Sequence, residues 1–215
     1  MASKSKLQKF AELANHPLVF EKNPEMKGKW QTQFFKNQHP IILELACGKG
    51  DYTLGLAKLF PDKNFIGVDI KGNRLWSAAR IATLENLNNV AFIREQIDHL
   101  ENYFELNEVA EIWITFSDPF PRKGDAKRRL TSTKFLSIYK KILQQNAHIH
   151  LKTDSDLLYE FTKETLVQFP SKIIKDYSDV YALNKNEELH NIQTYYEKMH
   201  LNDKRTIKYL CFMLI

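Results

Sequence analysis

The chain has 215 residues, of which 43% are hydrophobic, a content typical of globular proteins, so we expect one α/β domain with small additions. No apolar run approaches the ~18 residues that a membrane span requires, and no apolar segment follows the basic N-terminus, which argues against a membrane protein and a secretory signal. The net charge of +5 favours an acidic partner, and the presence of only two cysteines favours a reducing cytoplasm.

The first 35 residues are predicted to form an N-terminal extension, because a regular alternation of apolar runs begins only after them. A weak helical pattern covers Lys4 to Ala14. Two prolines and a glycine then predict a loop from Asn15 to Lys29. We therefore expect the functional domain to occupy residues 36–215.

The rest of the chain predicts strands and helices in alternation. Short apolar runs predict seven strands, at Ile41–Leu45, Asn64–Asp69, Val90–Ile93, Glu111–Phe116, Ala147–Leu151, Ile173–Tyr177 and Thr206–Leu214. Helices are predicted between them, at Tyr52–Phe60, Lys71–Leu87, Ser132–Leu143 and Ser155–Phe169. Because such alternation builds crossover units, we expect a doubly wound, mostly parallel, seven-stranded sheet of the Rossmann-like class. The last two strands are expected to form an antiparallel hairpin at one edge.

The first predicted strand ends in an acid and a glycine loop, Glu44-Leu45-Ala46-Cys47-Gly48-Lys49-Gly50. Ligands of such sheets lie beyond the carboxyl ends of the strands, where glycines let them approach the backbone. The spacing matches neither the dinucleotide fingerprint nor the P-loop, which disfavours a nicotinamide oxidoreductase. It resembles the first motif of methyltransferases that use S-adenosylmethionine, and Asp69 would accept hydrogen bonds from the ribose hydroxyls. The alternative is a structural glycine turn with Asp69 as a helix cap.

The segment from Phe116 to Leu130 follows the fourth predicted strand and carries a dense group of charges. Asp118 is followed by Pro119-Phe120-Pro121, whose prolines restrict the backbone and would hold the carboxylate at the edge of the sheet. The cations of the segment are Arg122, Lys123, Lys127, Arg128 and Arg129. Their clustering favours contact with the phosphates of a nucleic acid, and the alternative is a solvated charged face.

Five blocks of sequence together resemble one known family. The blocks are Gly28-Lys29-Trp30, Leu43-Glu44-Leu45 with its glycine loop, the segment from Phe116 to Arg129, Lys152-Thr153-Asp154 and Thr194-Tyr195-Tyr196-Glu197. In order and spacing they resemble the bacterial tRNA (guanine-N7)-methyltransferases, across residues 25–215. Five matched blocks are far more specific than any one of them.

The resemblance implies a role for each matching residue. S-adenosylmethionine would be bound by Glu44, Gly48, Asp69, Gln96 and Asp118, and Asp118 would also be the catalytic carboxylate. The tRNA would be held by Arg122, Asp154, Thr194, Tyr195, Tyr196 and Glu197, with RNA-backbone contacts from Lys123, Lys127, Arg128 and Arg129. The departures from the family pattern are Ala46 for glycine, Gln96 for aspartate, Phe120 for tryptophan and Arg122 for lysine. None of these removes an essential chemical capacity, so we expect an active enzyme.

The activity implied by the resemblance is methyl transfer to N7 of a guanosine in the tRNA variable loop. Because N7 has a lone pair and no proton, Asp118 would stabilise the developing positive charge rather than act as a base. Two alternatives remain: an adenine amino-methyltransferase, whose turn Ser117-Asp118-Pro119-Phe120 partly matches, and a non-catalytic tRNA-binding protein. We expect a cytoplasmic monomer or homodimer. We expect no metal, because His148 and His150 alternate as in a strand and the cysteines lack ligand spacing.

Overall fold

The computed structural model describes residues 5–22, 24–182 and 192–215. The chain divides into two compact units, Met1–Glu105 and Leu106–Ile215. Each unit contains four strands with helices between them. No helix among the described residues is long and apolar enough to cross a membrane.

The first unit is built on four parallel strands in the order β1-β4-β3-β2. The strands are β1 (Val19–Glu21), β2 (Ile41–Leu45), β3 (Asn64–Val68) and β4 (Val90–Arg94), and the helices are α1 (Lys6–Ala14), α2 (Asp51–Leu59) and α3 (Gly72–Leu84). Every residue of β2 and β3 is buried, as expected for strands covered by helices on both faces. Short helical turns at Pro24–Met26, Trp30–Phe35 and Ile97–Asn102 complete the unit.

Helix α1 lies against α3. Ser5 caps α1 through a capping box with Gln8, which satisfies backbone donors at the helix start. The indole of Trp76 donates a hydrogen bond of 2.9 Å to Glu12 of α1. A side chain at Gly72 would come within 2.9 Å of both Phe10 and Leu13, so a glycine at the start of α3 allows this close packing.

The second unit has four strands in the order β5-β6-β8-β7. The strands are β5 (Val109–Thr115), β6 (Leu143–Thr153), β7 (Ser171–Tyr177) and β8 (Lys208–Leu214), and the helices are α4 (Thr133–Ile142), α5 (Asp156–Gln168) and α6 (Tyr195–Asn202). Strand β6 pairs parallel with β5 and antiparallel with β8, which in turn pairs antiparallel with β7. A further helical turn covers Lys123–Arg128.

The structure confirms the α/β class, the mostly parallel pairing and the antiparallel C-terminal strands. The described residues contain eight strands, one more than predicted, because Val19–Glu21 pairs with β4 inside the segment expected to be a loop. Strand β6 begins at Leu143, directly after α4, and is longer than the predicted Ala147–Leu151. The boundary between an extension and a functional domain at residue 36 stays a prediction.

Candidate functional site

Glu44 connects the end of β2 to the first turn of α2. Its buried carboxylate accepts hydrogen bonds from the backbone N–H of Thr53 at 2.8 Å and from the Thr53 hydroxyl at 2.5 Å. The glycine loop lies between these residues and includes Gly48 and Gly50, both with positive φ. Gly48 is buried, but a Cβ placed on it would have only the Arg74 guanidinium within 4 Å, at 3.7 Å, so no atom packs closely against the backbone on that side of the loop.

Asp69 joins the same glycine loop to the end of β3. One carboxylate oxygen accepts a hydrogen bond of 2.8 Å from the Gly48 N–H, and the other accepts one of 2.7 Å from the Lys71 N–H. Helix α3 has Lys71 at its N-cap position without a side-chain capping bond, so Asp69 does not cap it in the usual way. Each carboxylate oxygen can accept more than one hydrogen bond, which leaves Asp69 acceptor capacity for ligand hydroxyls.

The loop also contains two residues with special properties. Ala46 has a φ of 57°, the left-handed conformation that favours glycine, at the position where the resemblance implies a glycine. Burial, together with the nearby carboxylates of Glu44 and Asp69, raises the pKa of the Cys47 thiol well above its ordinary value. Cys47 is therefore protonated at neutral pH and packs inside the loop, and a buried thiol of this kind is a poor nucleophile.

Gln96 follows β4 and is exposed. Its backbone N–H donates to Glu95 at 2.8 Å, and the same carboxylate interacts with His99 at 3.1 Å and Tyr103 at 3.3 Å. Partial burial raises the pKa of Glu95, but the hydrogen bonds from Gln96, His99 and Tyr103 outweigh it and hold that pKa below its ordinary value. The predicted cofactor residues of the first unit thus lie at or just after the carboxyl ends of three neighbouring parallel strands, β2, β3 and β4.

In the second unit, Asp118 lies in a tight turn after β5 and is exposed. Its carboxylate accepts a hydrogen bond of 2.9 Å from the Phe120 N–H. Phe116 and Phe120 have φ values of 48° and 42°, which are strained for aromatic residues. The backbone therefore turns sharply on both sides of Asp118 and presents its carboxylate to solvent.

The five cations after this turn divide into three groups. Arg122, Lys123 and Lys127 are exposed and have no ion-pair partner among the described residues. Arg128 pairs with Asp125 at 3.3 Å, and its guanidinium lies 4.3 Å from the centre of the Phe120 ring. Arg129 is only 6% exposed and donates to backbone carbonyls, so its observed contacts differ from the predicted contact with an RNA backbone.

Asp154 follows β6 and has partners within the protein. Its carboxylate lies 2.8 Å from the Arg205 guanidinium and 3.5 Å from the His200 ring. The N-cap of α5 is Ser155, whose hydroxyl accepts from the Leu158 N–H. The cap of this helix is therefore Ser155, and the Asp154 carboxylate is engaged by Arg205 instead.

The block from Thr194 to Glu197 begins helix α6. Thr194 caps the helix by accepting a hydrogen bond of 3.0 Å from the Glu197 N–H. Tyr195 and Tyr196 are 63% and 40% exposed, whereas the Glu197 side chain is fully buried. The block therefore presents two aromatic rings to solvent and directs its carboxylate inward.

The inward carboxylate belongs to a buried network that the sequence did not reveal. Glu197 lies 2.6 Å from the Lys152 ammonium, and both side chains are fully buried. The Tyr181 hydroxyl donates to Glu197 at 2.8 Å, and Gln193 donates to the Tyr181 oxygen at 3.0 Å. Burial lowers the pKa of Lys152, and the charge of Glu197 opposes this shift. The sequence signal that could have indicated this network is a lysine next to an apolar strand, because a buried lysine requires an oppositely charged partner.

His148, His150 and Cys211 come together on adjacent strands, with ligand atoms within 4.8 Å of one another. The sequence did not place Cys211 there, since strands β6 and β8 pair only in the fold. His150 already stacks on Trp113 at 4.1 Å and hydrogen-bonds to the Tyr209 hydroxyl at 2.7 Å. Burial raises the pKa of Cys211, which favours the neutral thiol. Aromatic packing and the bond to Tyr209 thus account for the position of His150, and the expected absence of a metal stays a prediction.

Comparison with known proteins identifies relatives over the whole chain. Residues 38–210 match a family model described as a putative methyltransferase. A tRNA (guanine-N(7)-)-methyltransferase of Bacteroides thetaiotaomicron is 46% identical over 98% of this chain and 86% of its own length. One of Christiangramia forsetii is 46% identical over 100% of both chains.

Solved structures show a similar fold at low sequence identity. The 16S rRNA methyltransferase KamB has 14% identity and a TM-score of 0.62 over 85% of this chain and 91% of its own. A SAM-dependent methyltransferase from Aquifex aeolicus has 13% identity and a TM-score of 0.58 over 99% and 100%. These likenesses establish the fold, and the close sequence relatives establish the family. The chain belongs to the tRNA (guanine-N(7)-)-methyltransferase family.

Proposed function

We propose that this protein transfers the methyl group of S-adenosylmethionine to N7 of a guanosine in tRNA, in the variable loop. The observation that carries the proposal is the arrangement of Glu44, the glycine loop and Asp69 at the ends of neighbouring strands. This arrangement occurs in a chain that is 46% identical to a named tRNA (guanine-N(7)-)-methyltransferase. The expected setting is the bacterial cytoplasm, and the expected assembly is a monomer or homodimer.

The first unit supplies the residues for S-adenosylmethionine, which carries the methyl group on a sulfonium. The loose packing beside Gly48 and the acceptor capacity of Asp69 fit a ligand with a ribose. The Glu44 carboxylate supplies negative charge for the amino group of the methionine part. Gln96, exposed after β4, would contribute an amide that can donate and accept.

The second unit supplies the residues for the target base and the tRNA. Guanine N7 attacks through its lone pair and loses no proton, so the base becomes positively charged. The exposed carboxylate of Asp118 would stabilise that charge and orient the base. A cofactor contact of Asp118, implied by the resemblance, is part of the same proposal.

The tRNA would be held by side chains that the structure exposes. Arg122, Lys123 and Lys127 have no ion-pair partner in the described parts of the chain and can bind phosphates. Tyr195 and Tyr196 offer exposed rings for stacking on bases. Asp154 and Glu197 are also proposed as tRNA contacts, and within the protein they form ion pairs with Arg205 and Lys152.

The deciding experiment incubates the protein with methyl-labelled S-adenosylmethionine and unmodified tRNA. The expected product is N7-methylguanosine at one position of the variable loop, mapped by the backbone cleavage that this modification permits. N6-methyladenosine as the product would favour the amino-methyltransferase. Binding of tRNA without any label transfer would favour the non-catalytic alternative.

A further inference from the structure

We propose that Arg129 is a positioning residue of methyl transfer: it fixes the Asp118-Pro119-Phe120 turn and does not bind the RNA backbone. The proposal rests on the proposed function, because it concerns the turn that carries the catalytic carboxylate. The proposal gives Arg129 a different role from the other cations of its segment, although the sequence places all of them in one cluster.

The guanidinium of Arg129 is hydrogen-bonded to the turn. Its Nε donates to the Pro119 carbonyl at 3.0 Å and to the Phe120 carbonyl at 3.3 Å, and Nη2 donates to the Phe120 carbonyl at 2.9 Å. These carbonyls belong to the two residues after Asp118. A guanidinium suits this arrangement because its donors are held in a rigid plane.

The turn has few means of fixing itself. Pro119 and Pro121 have no backbone N–H and cannot donate hydrogen bonds. Phe120 has a φ of 42°, which an aromatic residue adopts only when its surroundings impose it. Within the turn, the Phe120 N–H donates to Asp118 itself. The donors of Arg129 are thus an external restraint on a conformation that the turn does not favour.

Arg129 is also anchored to a rigid element. Its guanidinium carbon lies 4.4 Å from the centre of the Phe161 ring, on helix α5. Its backbone carbonyl accepts from the Ser132 N–H at the start of α4. The Arg129 side chain therefore links the turn to helix α5 and holds the turn in place. Because Arg129 is only 6% exposed, little of its surface is available to a phosphate.

The test compares Arg129→Ala and Arg129→Lys with Lys127→Ala, which removes an exposed cation two residues away. We expect Arg129→Ala to lower kcat by about 100-fold, the effect of misplacing a catalytic group by about 1 Å. Its tRNA Kd should stay within about twofold, with an unchanged dependence on salt. Lys127→Ala should instead weaken tRNA binding and reduce the slope of log affinity against log salt by about 1. Arg129→Lys keeps the charge but lacks the fork, so its kcat should also be low.

Two further measurements distinguish positioning from a general loss of folding. Methylguanidinium should restore part of the kcat of Arg129→Ala, and methylammonium should not, because only the first has the planar donors. Amide exchange at Phe120 should rise in Arg129→Ala while exchange in β5 and β6 is unchanged. The amide exchange at Phe120 tests the restraint on the turn, whichever base the wild-type protein methylates. The identity of the wild-type product tests the proposed function, so the two failures can be told apart.

Three results would overturn the proposal. One is a wild-type kcat in Arg129→Ala. Another is a salt slope that falls in Arg129→Ala as it does in Lys127→Ala, which would return Arg129 to the RNA-binding cations. The third is unchanged amide exchange at Phe120, which would show that the guanidinium does not restrain the turn.

Discussion

The ammonium of Lys152 lies 2.6 Å from the carboxylate of Glu197, and both side chains are completely buried. Lys152 is in β6 and Glu197 is in the first turn of α6, so the pair fixes the start of the helix that carries the exposed Tyr195. A buried ion pair contributes little net stability, but breaking it leaves one charge without compensation. The pair is therefore expected to determine where α6 begins.

Replacement of Lys152 by methionine should destabilise the protein by about 3–5 kcal/mol, because the Glu197 carboxylate stays buried without its counter-ion. The double variant Lys152→Met with Glu197→Gln should recover a large part of this loss. Urea unfolding of the four proteins in the cycle gives the coupling energy. Additive effects of the two substitutions would contradict an energetic link between β6 and α6.

Gly67 of β3 is expected to tolerate no side chain. A Cβ there would lie 2.9 Å from the Cys47 sulfur and 3.0 Å from the Thr53 hydroxyl that holds Glu44. Gly67→Ala should cost about 1–3 kcal/mol of stability and weaken S-adenosylmethionine binding, measured by unfolding and calorimetry. Gly124→Ala is the matched control, since no atom lies within 4 Å of its Cβ position. Equal effects of the two substitutions would argue against this steric account.

Ala46 in the glycine loop should be replaceable by glycine with a gain in stability. Its φ of 57° is costly for any residue with a Cβ, and glycine removes that cost, about 1 kcal/mol. The same substitution at Ala57, inside α2, should destabilise by about 1 kcal/mol because glycine weakens a helix interior. Thermal melts would show opposite shifts, and a lower Tm for Ala46→Gly would refute the strain at this position.

Glu95 should make the stability of the protein depend on pH in acid. Its pKa is lowered in the folded state, so the unfolded state binds more protons as the pH falls. The contribution of Glu95 is complete above the unfolded pKa of about 4.3 and is lost as the pH drops through the folded pKa. Urea midpoints of the wild type and Glu95→Gln should therefore converge between pH 6 and pH 3. Glu164→Gln controls for the removal of one exposed carboxylate, and a constant gap for Glu95→Gln would rule out this linkage.

Asp118 can be tested for charge and for turn geometry separately. Asparagine keeps an oxygen that can accept from the Phe120 N–H but removes the negative charge. Asp118→Asn should lower kcat by about 100-fold through lost electrostatic stabilisation, and Asp118→Ala should lower it further by also releasing the turn. Both should bind tRNA like the wild type in filter-binding assays. Near wild-type turnover of Asp118→Asn would remove the electrostatic role.

Sequence patterns predicted the elements that have strong periodicity. Buried strands β2 and β3 are largely apolar, with Glu44 and Asn64 as the exceptions, and their positions follow directly from the sequence. Strand β1 was missed because three residues cannot establish a period of two, and only pairing with β4 defines the strand. A short strand of this kind depends on tertiary contacts, which local propensity does not contain.

The sequence predicted which residues make up the candidate site. It did not predict which of their side chains face solvent and which face the protein interior. The cluster from Arg122 to Arg129 was visible, but nothing in a run of cations shows that Lys127 faces solvent and Arg129 faces inward. That difference arises where the helical turn Lys123–Arg128 ends and Arg129 meets Phe161. The partner of Lys152 was equally hidden, because Glu197 lies 45 residues away in the sequence.

The two hydrogen bonds of Asp69 mean that the glycine loop is ordered before any ligand arrives. A ligand that hydrogen-bonds to the remaining lone pairs of this carboxylate therefore binds a preorganised surface. The entropy lost in ordering the loop is part of folding and does not weaken ligand binding. Removal of Asp69 would therefore have two inseparable consequences, a lost acceptor and a disordered loop.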